Sequence, residues 1–142
     1  MILLMTVLAL LQDKGVSVDF STIDKGSTSG FQSSLEMFVS SQKDWVELWA
    51  KREGSVAKKT NHPMVDFDKD VVIVVAQGVQ KTGGYAIEIT RIVKTKDEVT
   101  VYVKKTEPAA GSSPTGKPTS PFVLAKIRKS DLPITFKDEE KK

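Results

Sequence analysis

Residues 71–93, VVIVVAQGVQKTGGYAIEITRIV, contain the stretch that decides the fold. The first five residues of this stretch are all apolar and β-branched. Such residues favour a strand because they pack well on a pleated surface and lose side-chain freedom in a helix. An unbroken apolar run this short is typical of a strand that is covered on both faces. Residues 71–75 are therefore predicted to form a central, fully buried strand.

The second half of the same stretch predicts another strand, apolar on one face only. Tyr85, Ile87 and Ile89 stand at alternating positions and share one face of a strand, whereas Glu88 and Thr90 lie on the other face. Gly83 and Gly84 stand between the two runs and can adopt positive φ without steric cost. We therefore expect a hairpin-like reversal that pairs the two strands at the centre of a β domain.

The length, cysteine content and charge of the chain limit the classes of protein to which it can belong. With 142 residues, it is one domain by the usual prior and long enough to bury a core. The absence of cysteine excludes disulfides, thiolate metal sites and cysteine nucleophiles. The net charge of +3 arises from 21 basic and 18 acidic residues that are interspersed along the chain. Nucleic-acid-binding proteins show a stronger and more clustered excess, so no nucleic-acid partner is expected.

The first eleven residues, MILLMTVLALL, are nearly all apolar. They are too few for a helix that spans a bilayer, which needs about 20 residues. Their length matches the apolar region of a secretory signal, but no Lys or Arg precedes it. Three explanations remain: a signal without its basic start, an uncleaved anchor, or a buried N-terminal segment. We favour the first and expect an exported protein (periplasmic, cell-surface or secreted), with residues 1–15 separate from a single β domain at 16–142.

Sequence patterns along the rest of the chain predict further strands. Apolar residues alternate with polar ones, or form short runs, at 16–20, 35–39, 99–103, 122–127 and 134–136. Residues 24–30 (DKGSTSG) have the composition of a turn. The predicted fold is mainly β: an antiparallel β-sandwich or a partly closed barrel of about seven strands, with one amphipathic helix packed against it.

The helix is predicted to begin after Ser41, because Ser41 and Asp44 resemble a capping box in which Asp replaces Glu. Trp45 and Trp49 are one turn apart and share a face, and the pattern ends near Gly54. Two tryptophans on one face can form a ligand platform, but burial in the core is the commoner use of such large apolar side chains.

Residues 107–121, EPAAGSSPTGKPTSP, predict a long irregular loop with four prolines. Loops of this length in a compact domain are often functional. The segment nearly matches the phosphate-binding loop G-x-x-x-x-G-K-[ST], which requires a hydroxyl residue followed by a helix. Here Pro118 occupies the hydroxyl position and a strand-like run follows, so we reject phosphate binding.

Two other patterns resemble metal or catalytic sites, and neither is complete. Residues 66–70 (DFDKD) resemble the start of a calcium loop, but Val71 and Gln77 occupy the positions that require Gly and Glu. The sole histidine, His62, precedes Pro63 in a polar loop without a catalytic motif around it. We predict no catalytic residue, no metal and no cofactor.

Taken together, the segments resemble the C-terminal domain of the protease complex subunit PrcB family. The resemblance extends from about residue 23 to 136. It rests on DWVELWA (44–50), PMVDFDKDVVIVVAQG (63–78), TGGYAIEI (82–89) and TSPFVLAKI (119–127). Relatives are often lipoproteins, but this chain has no lipobox cysteine, so the sequence does not support a lipid anchor.

The resemblance implies an exported, non-enzymatic prokaryotic module that binds a protein partner, and specifically one that associates with or stabilises a secreted or cell-surface protease complex. The family provides no active-site residues to transfer. The residues we expect at the binding surface are Gly83, Gly84, Tyr85, Thr119 and Pro121.

Other functions remain open at this level. The loop at 109–120 could enter the cleft of a protease as an inhibitor does, or an exposed sheet edge could add a strand to a partner. The chain could instead bind a small ligand or a glycan of the cell envelope, for which tyrosines and tryptophans would have to line a concave site. The sequence does not predict an oligomeric state.

Overall fold

The computed structural model describes residues 15–52, 62–112 and 114–139. Within these ranges the chain forms eight strands and one helix. The strands are β1 (Val16–Ser17), β2 (Ser21–Gly26), β3 (Ser34–Val39), β4 (Asp70–Gln77), β5 (Ala86–Lys94), β6 (Val99–Thr106), β7 (Phe122–Arg128) and β8 (Ile134–Asp138), and the helix, α1, is Gln42–Arg52.

The strands form two four-stranded sheets. Sheet A has the order β1-β5-β6-β8 and sheet B the order β2-β7-β4-β3. Every pair of neighbouring strands is antiparallel except β6 and β8, which are parallel. The predicted mainly β fold with one packed helix is confirmed, and of the two predicted forms the structure is the sandwich.

The predicted pairing of β4 with β5 is wrong. Both strands exist where the sequence predicts them, but β4 lies in sheet B and β5 in sheet A. β4 has no free edge for β5, because it pairs with β3 on one side and β7 on the other. Residues 78–85 therefore connect the two sheets rather than forming a hairpin turn.

Strand β4 is the central strand of the fold, as predicted, and it contributes to two cores. Residues at alternating positions point to opposite faces of a strand. Val71, Ile73 and Val75 belong to the core between the sheets, and Val72, Val74 and Ala76 to the core between sheet B and α1. All six side chains are buried. The domain thus has three layers, in the order sheet A, sheet B and helix.

Helix α1 covers the outer face of sheet B. The Asp44 backbone N–H donates to Ser41 Oγ at 3.2 Å, which confirms the predicted N-cap. Trp45 and Trp49 are both buried, at 0% and 9% exposure, and Trp45 Nε1–H donates to the Pro63 carbonyl oxygen at 2.9 Å. The tryptophans are core residues, and the alternative of a ligand platform is wrong.

The N-terminal part of the domain departs from the predicted boundaries. β1 has only two residues of the strand predicted at 16–20, and β2 occupies positions 24–26, where a turn was predicted. The reason is tertiary: Ile23 packs against the core beneath α1, and Asp24 is held by an ion pair with Arg52. Turn-forming composition is overridden by these contacts.

Some predictions fall outside the described residues. They concern the apolar segment at 1–11 and the end of the helix near Gly54. In the part of the chain that the structure describes, the one helix is too short and too polar to cross a membrane.

Arg52, the last residue of α1, connects the helix to two strands of sheet B. Its Nε donates to Asp24 Oδ2 at 2.6 Å, and a second guanidinium nitrogen forms an ion pair with the same oxygen. The guanidinium carbon also lies 4.6 Å from the ring centroid of Trp49 and 5.6 Å from that of Phe122. A planar guanidinium makes both kinds of contact at once, whereas an ammonium is a point charge on a flexible stem.

We expect Arg52→Lys to lower the free energy of unfolding by about 1–2 kcal/mol, because the charge is kept but the stacking and the paired N–H donors are lost. The matched control is Arg128→Lys on the exposed end of β7, which should change stability by less than about 0.5 kcal/mol. Equilibrium unfolding in urea measures both. Equal effects of the two substitutions would contradict a stabilising role of the Arg52 contacts with Asp24, Trp49 and Phe122.

Candidate functional site

Residues 107–112 and 114–121 belong to the predicted long loop, which meets the 78–85 connection along one side. The contact is a short antiparallel bridge between Gln80 and Thr119. The Gln80 N–H donates to the Thr119 carbonyl at 2.7 Å, and the Thr119 N–H donates back at 2.9 Å. Thr119 Oγ1 also donates to the Thr82 carbonyl at 2.8 Å. The loop is thus hydrogen-bonded to the connection between the two sheets.

Gly83 and Gly84, two of the predicted binding residues, pack against this loop. The Gly83 N–H donates to the Thr115 carbonyl at 3.0 Å, and a Cβ on Gly83 would lie 2.5 Å from Thr115 Oγ1. Gly84 has a φ of 88°, and a Cβ there would lie 2.9 Å from Pro108 Cγ. Both glycines allow the loop to approach the connection closely; an added Cβ would require Pro108 to shift at position 84, where φ is also positive, and the Thr115 hydroxyl to move at position 83.

The other three predicted binding residues lie in the same region with different exposure. Thr119 and Tyr85 are half-buried, and Pro121 is buried. The Pro121 carbonyl accepts the Gln77 N–H at 3.0 Å, where β4 ends. The structure therefore brings the five predicted residues to one junction, and it gives Gly83, Gly84, Thr119 and Pro121 a part in holding the loop.

A second attachment of the loop, formed by Ser29 and Ser120, is not predicted by the sequence. The Ser29 N–H donates to Ser120 Oγ at 2.6 Å, and Ser120 Oγ donates to the Ser29 carbonyl at 2.8 Å. Ser29 Oγ donates to the Ser120 carbonyl at 2.9 Å, and the Ser120 N–H donates to the Ser27 carbonyl at 2.8 Å. Ser120 is only 4% exposed, so its hydroxyl is buried with its hydrogen bonds formed. No local pattern identifies serines 91 residues apart as partners.

The remainder of the loop, residues 109–112 and 114–118, is exposed; we call these residues the crest. One turn is hydrogen-bonded within it, because the Ser112 N–H donates to the Ala109 carbonyl at 3.0 Å. The crest contains the near match to a phosphate-binding loop. The chain continues from it into strand β7, where a phosphate site would require a helix.

The acidic run at 66–70 forms a turn at the entrance to β4. Asp66 Oδ1 accepts the Asp68 N–H at 3.0 Å, and the Asp66 carbonyl accepts the N–H groups of Lys69 and Asp70. Across residues 15–52, 62–112 and 114–139, no three His, Asp or Glu side chains lie close enough together to hold a metal ion.

Comparison with protein families agrees with the predicted resemblance. The family model described as PrcB C-terminal matches residues 71–128, which confirms the resemblance to that family. The matched segment extends from β4 to the end of β7 and includes the 78–85 connection and the loop. It is shorter than the expected 23–136, and the helix motif lies outside it. No curated protein and no solved structure matches the chain significantly.

Three glycine-to-alanine substitutions distinguish the two requirements at this loop, a positive φ and close packing against a neighbouring residue. Gly84→Ala combines a positive φ with a clash against Pro108, and we expect it to lower the free energy of unfolding by about 2–4 kcal/mol. Gly111→Ala has a φ of 82° but no atom within 4 Å of the added Cβ, so about 1 kcal/mol is expected.

Gly116→Ala is the matched control, because it has open space around the added Cβ and no positive φ. Its effect should stay within about 0.5 kcal/mol. Urea unfolding gives the three free energies, and limited proteolysis at the loop reports local opening. Equal stability of the three variants would show that the loop is not packed against the connection.

Proposed function

We propose that this domain is a non-enzymatic interaction module of a protease complex, and that it contacts its partner through the crest. One observation carries the proposal: the C-terminal end of the loop is hydrogen-bonded to the sandwich through Thr119 and Ser120, its N-terminal end packs against Gly84 through Pro108, and its crest remains exposed. Binding by a segment that is already held in place costs less conformational entropy than binding by a free one.

The family match supports both parts of the proposal, that the domain is an interaction module and that its partner belongs to a protease complex. The matched segment is the one that contains the loop and the connection that holds it. The family description, PrcB C-terminal, agrees with the association with a protease complex that the resemblance implies. The proposed location is the cell envelope or beyond, in accordance with the apolar segment at 1–11.

Inhibition of the protease is a second candidate function, and the attachment of the loop favours it. An inhibitory loop must resist rearrangement in the protease cleft. Without a disulfide, this loop is held by the bridge between Gln80 and Thr119, the Gly83–Thr115 bond and the Ser29–Ser120 pair.

A glycan-binding role receives less support from the aromatic residues. Trp45 and Trp49 are buried in the core and offer no stacking surface. The ring of Tyr102 is covered by the Arg91 guanidinium, whose central carbon lies 3.7 Å from the ring centroid. Of the four aromatic residues considered for such a site, this leaves Tyr85, which is half-buried.

Affinity capture with the full chain, followed by mass spectrometry of the envelope fraction of the source organism, tests the proposal. We expect recovery of a protease. Removal of residues 109–112 should abolish recovery, because the Ser112–Ala109 hydrogen bond lies inside the deleted turn and the attachments at Thr115, Thr119 and Ser120 remain.

A matched pair of charge reversals controls for nonspecific effects. Lys117→Glu changes the crest, and Lys96→Glu changes an exposed position in the turn between β5 and β6. Lys117→Glu should weaken recovery several-fold, and Lys96→Glu should leave it unchanged. Equal recovery with all variants would refute the role of the crest. Peptide-cleavage assays with the recovered protease then separate the two candidates: inhibition by the intact chain, lost with the deletion, identifies an inhibitor.

A further inference from the structure

Among the residues that the structure describes, strand β3 is an edge of sheet B with no strand paired on its outer side. Sheet edges in natural proteins are commonly shortened, bulged or charged, because unpaired backbone groups would otherwise pair with another chain. β1 has two residues, β2 has a register shift between Thr22 and Asp24, and β8 ends in Lys137 and Asp138. β3 has six residues in continuous register with β4 and a single charged residue, Glu36. Glu36 forms an ion pair with Lys105 of sheet A at 3.2 Å.

Two apolar side chains are exposed on this edge. Met37 is 37% exposed and lies on the helix side of the sheet, since its pairing partner Val74 packs beneath α1. Phe38 is 46% exposed on the opposite side. Together they give the free edge one exposed apolar side chain on each face of the sheet.

Beside the edge, a groove of about 620 Å³ lies between β3 and α1; we call it the α1–β3 groove. Its floor includes Leu35, Met37 and Val39. Its helix wall carries Asp44, Glu47 and Lys51, which are spaced along one stripe of α1.

The charged residues of the α1–β3 groove have a defined order relative to the ends of β3. α1 runs back along β3, because only Ser40 and Ser41 connect them and the Arg52 carbonyl accepts the N–H of Gly30, ahead of β3. Asp44 therefore lies near the C-terminal end of β3, and Lys51 near its N-terminal end. The helix wall carries Asp44 at one end, Glu47 midway and Lys51 at the other end, with about 10 Å of helix between Asp44 and Lys51.

We propose that β3 pairs antiparallel with β3 of a second copy of this chain, so that the two copies share one eight-stranded sheet. Antiparallel pairing about a two-fold axis brings the C-terminal end of one β3 beside the N-terminal end of the other. Asp44 of each copy then faces Lys51 of the other across the joined grooves. Glu47, midway between Asp44 and Lys51, lies near its counterpart in the other copy, and the two Asp44–Lys51 attractions outweigh this single like-charge contact.

The same geometry selects the register. Opposed residues of an antiparallel pair share a face, so the two-fold axis passes through a residue position rather than between two. An axis at Glu36 would oppose two carboxylates, which is destabilising. An axis at Phe38 would leave only three residues of each strand overlapping. The axis at Met37 overlaps five residues and opposes Leu35 with Val39.

This dimer goes beyond the proposed function and does not depend on it. β3 and the crest are separate parts of the surface, and the antiparallel arrangement places the two crests at opposite ends of the shared sheet.

Sedimentation velocity of the full chain over micromolar concentrations tests the dimer. We expect a dimer whose dissociation constant rises about tenfold with Lys51→Glu, because two cross-copy attractions become repulsions. Asp44→Lys should do the same. The double variant, Asp44→Lys with Lys51→Glu, exchanges the two ends and should restore dimerisation. A monomeric chain, or charge variants without effect on the dimer, would overturn the proposal.

The absence of native cysteine allows a direct test of the register. Met37→Cys should form an intermolecular disulfide under mild oxidation, because the axis places residue 37 opposite itself. Glu88→Cys, exposed on β5 of the other sheet, is the matched control and should stay unlinked. A dimer that crosslinks equally at both positions, or not at position 37, would contradict the β3 pairing.

Discussion

Burial of β4 on both faces is the constraint on which the rest of the structure depends. Each of its buried valine and isoleucine side chains contributes about 1.5–3 kcal/mol on leaving water, whereas an exposed ion pair contributes at most about 1 kcal/mol. The hydrophobic term therefore decides the architecture. Sheet A must cover one face, through residues such as Ile73, and α1 must cover the other, through residues such as Val74. A two-layer sandwich alone would leave half of β4 in water, which is why the short helix and its two tryptophans are part of the core.

The central position of β4 also explains the region around the loop. Because both edges of β4 are paired, the chain must leave sheet B at Gln77 and cross to sheet A before β5 can begin. The crossing exposes backbone groups of residues 78–85 that no sheet satisfies. The loop at 107–121 supplies their partners, through Thr119 and Thr115. Close approach of two irregular segments requires residues without side chains at the contact, and Gly84 meets that requirement. The long loop is thus a structural partner of the connection, and its exposed crest is the part that the proposed partner would contact.

Local sequence patterns correctly predicted the features that are determined by residues close together in the chain. The type of β4, β5 and α1, the cap at Ser41 and the proline-rich loop all follow from neighbouring residues. The pairing of strands does not follow from neighbouring residues, because it depends on which strand edges are still unpaired in the folded sheet. In addition, a turn-like sequence between two strands is compatible with both a hairpin and a crossing to the other sheet. The same limit applies to the candidate site. The glycines could be recognised as conformational requirements, but the Ser29–Ser120 pair and the Arg52–Asp24 ion pair join residues that are distant in sequence. Serine and aspartate in turn-like segments gave no sign of those partners.

Because most of the large apolar side chains of the described residues lie in the core, few of them are available to bind a partner. Strong association must therefore use exposed backbone, held loops or the few apolar groups at an edge. Strand β3 becomes an edge because β4 needs a neighbour on each side and the sheet ends there. Met37 and Phe38 are consequently exposed by the topology rather than by a failure of packing. The crest and the β3 edge lie apart, so one can contact a different protein while the other pairs with an identical copy. A dimer would present two crests, and simultaneous binding of both would raise the effective affinity for a partner that is itself multivalent.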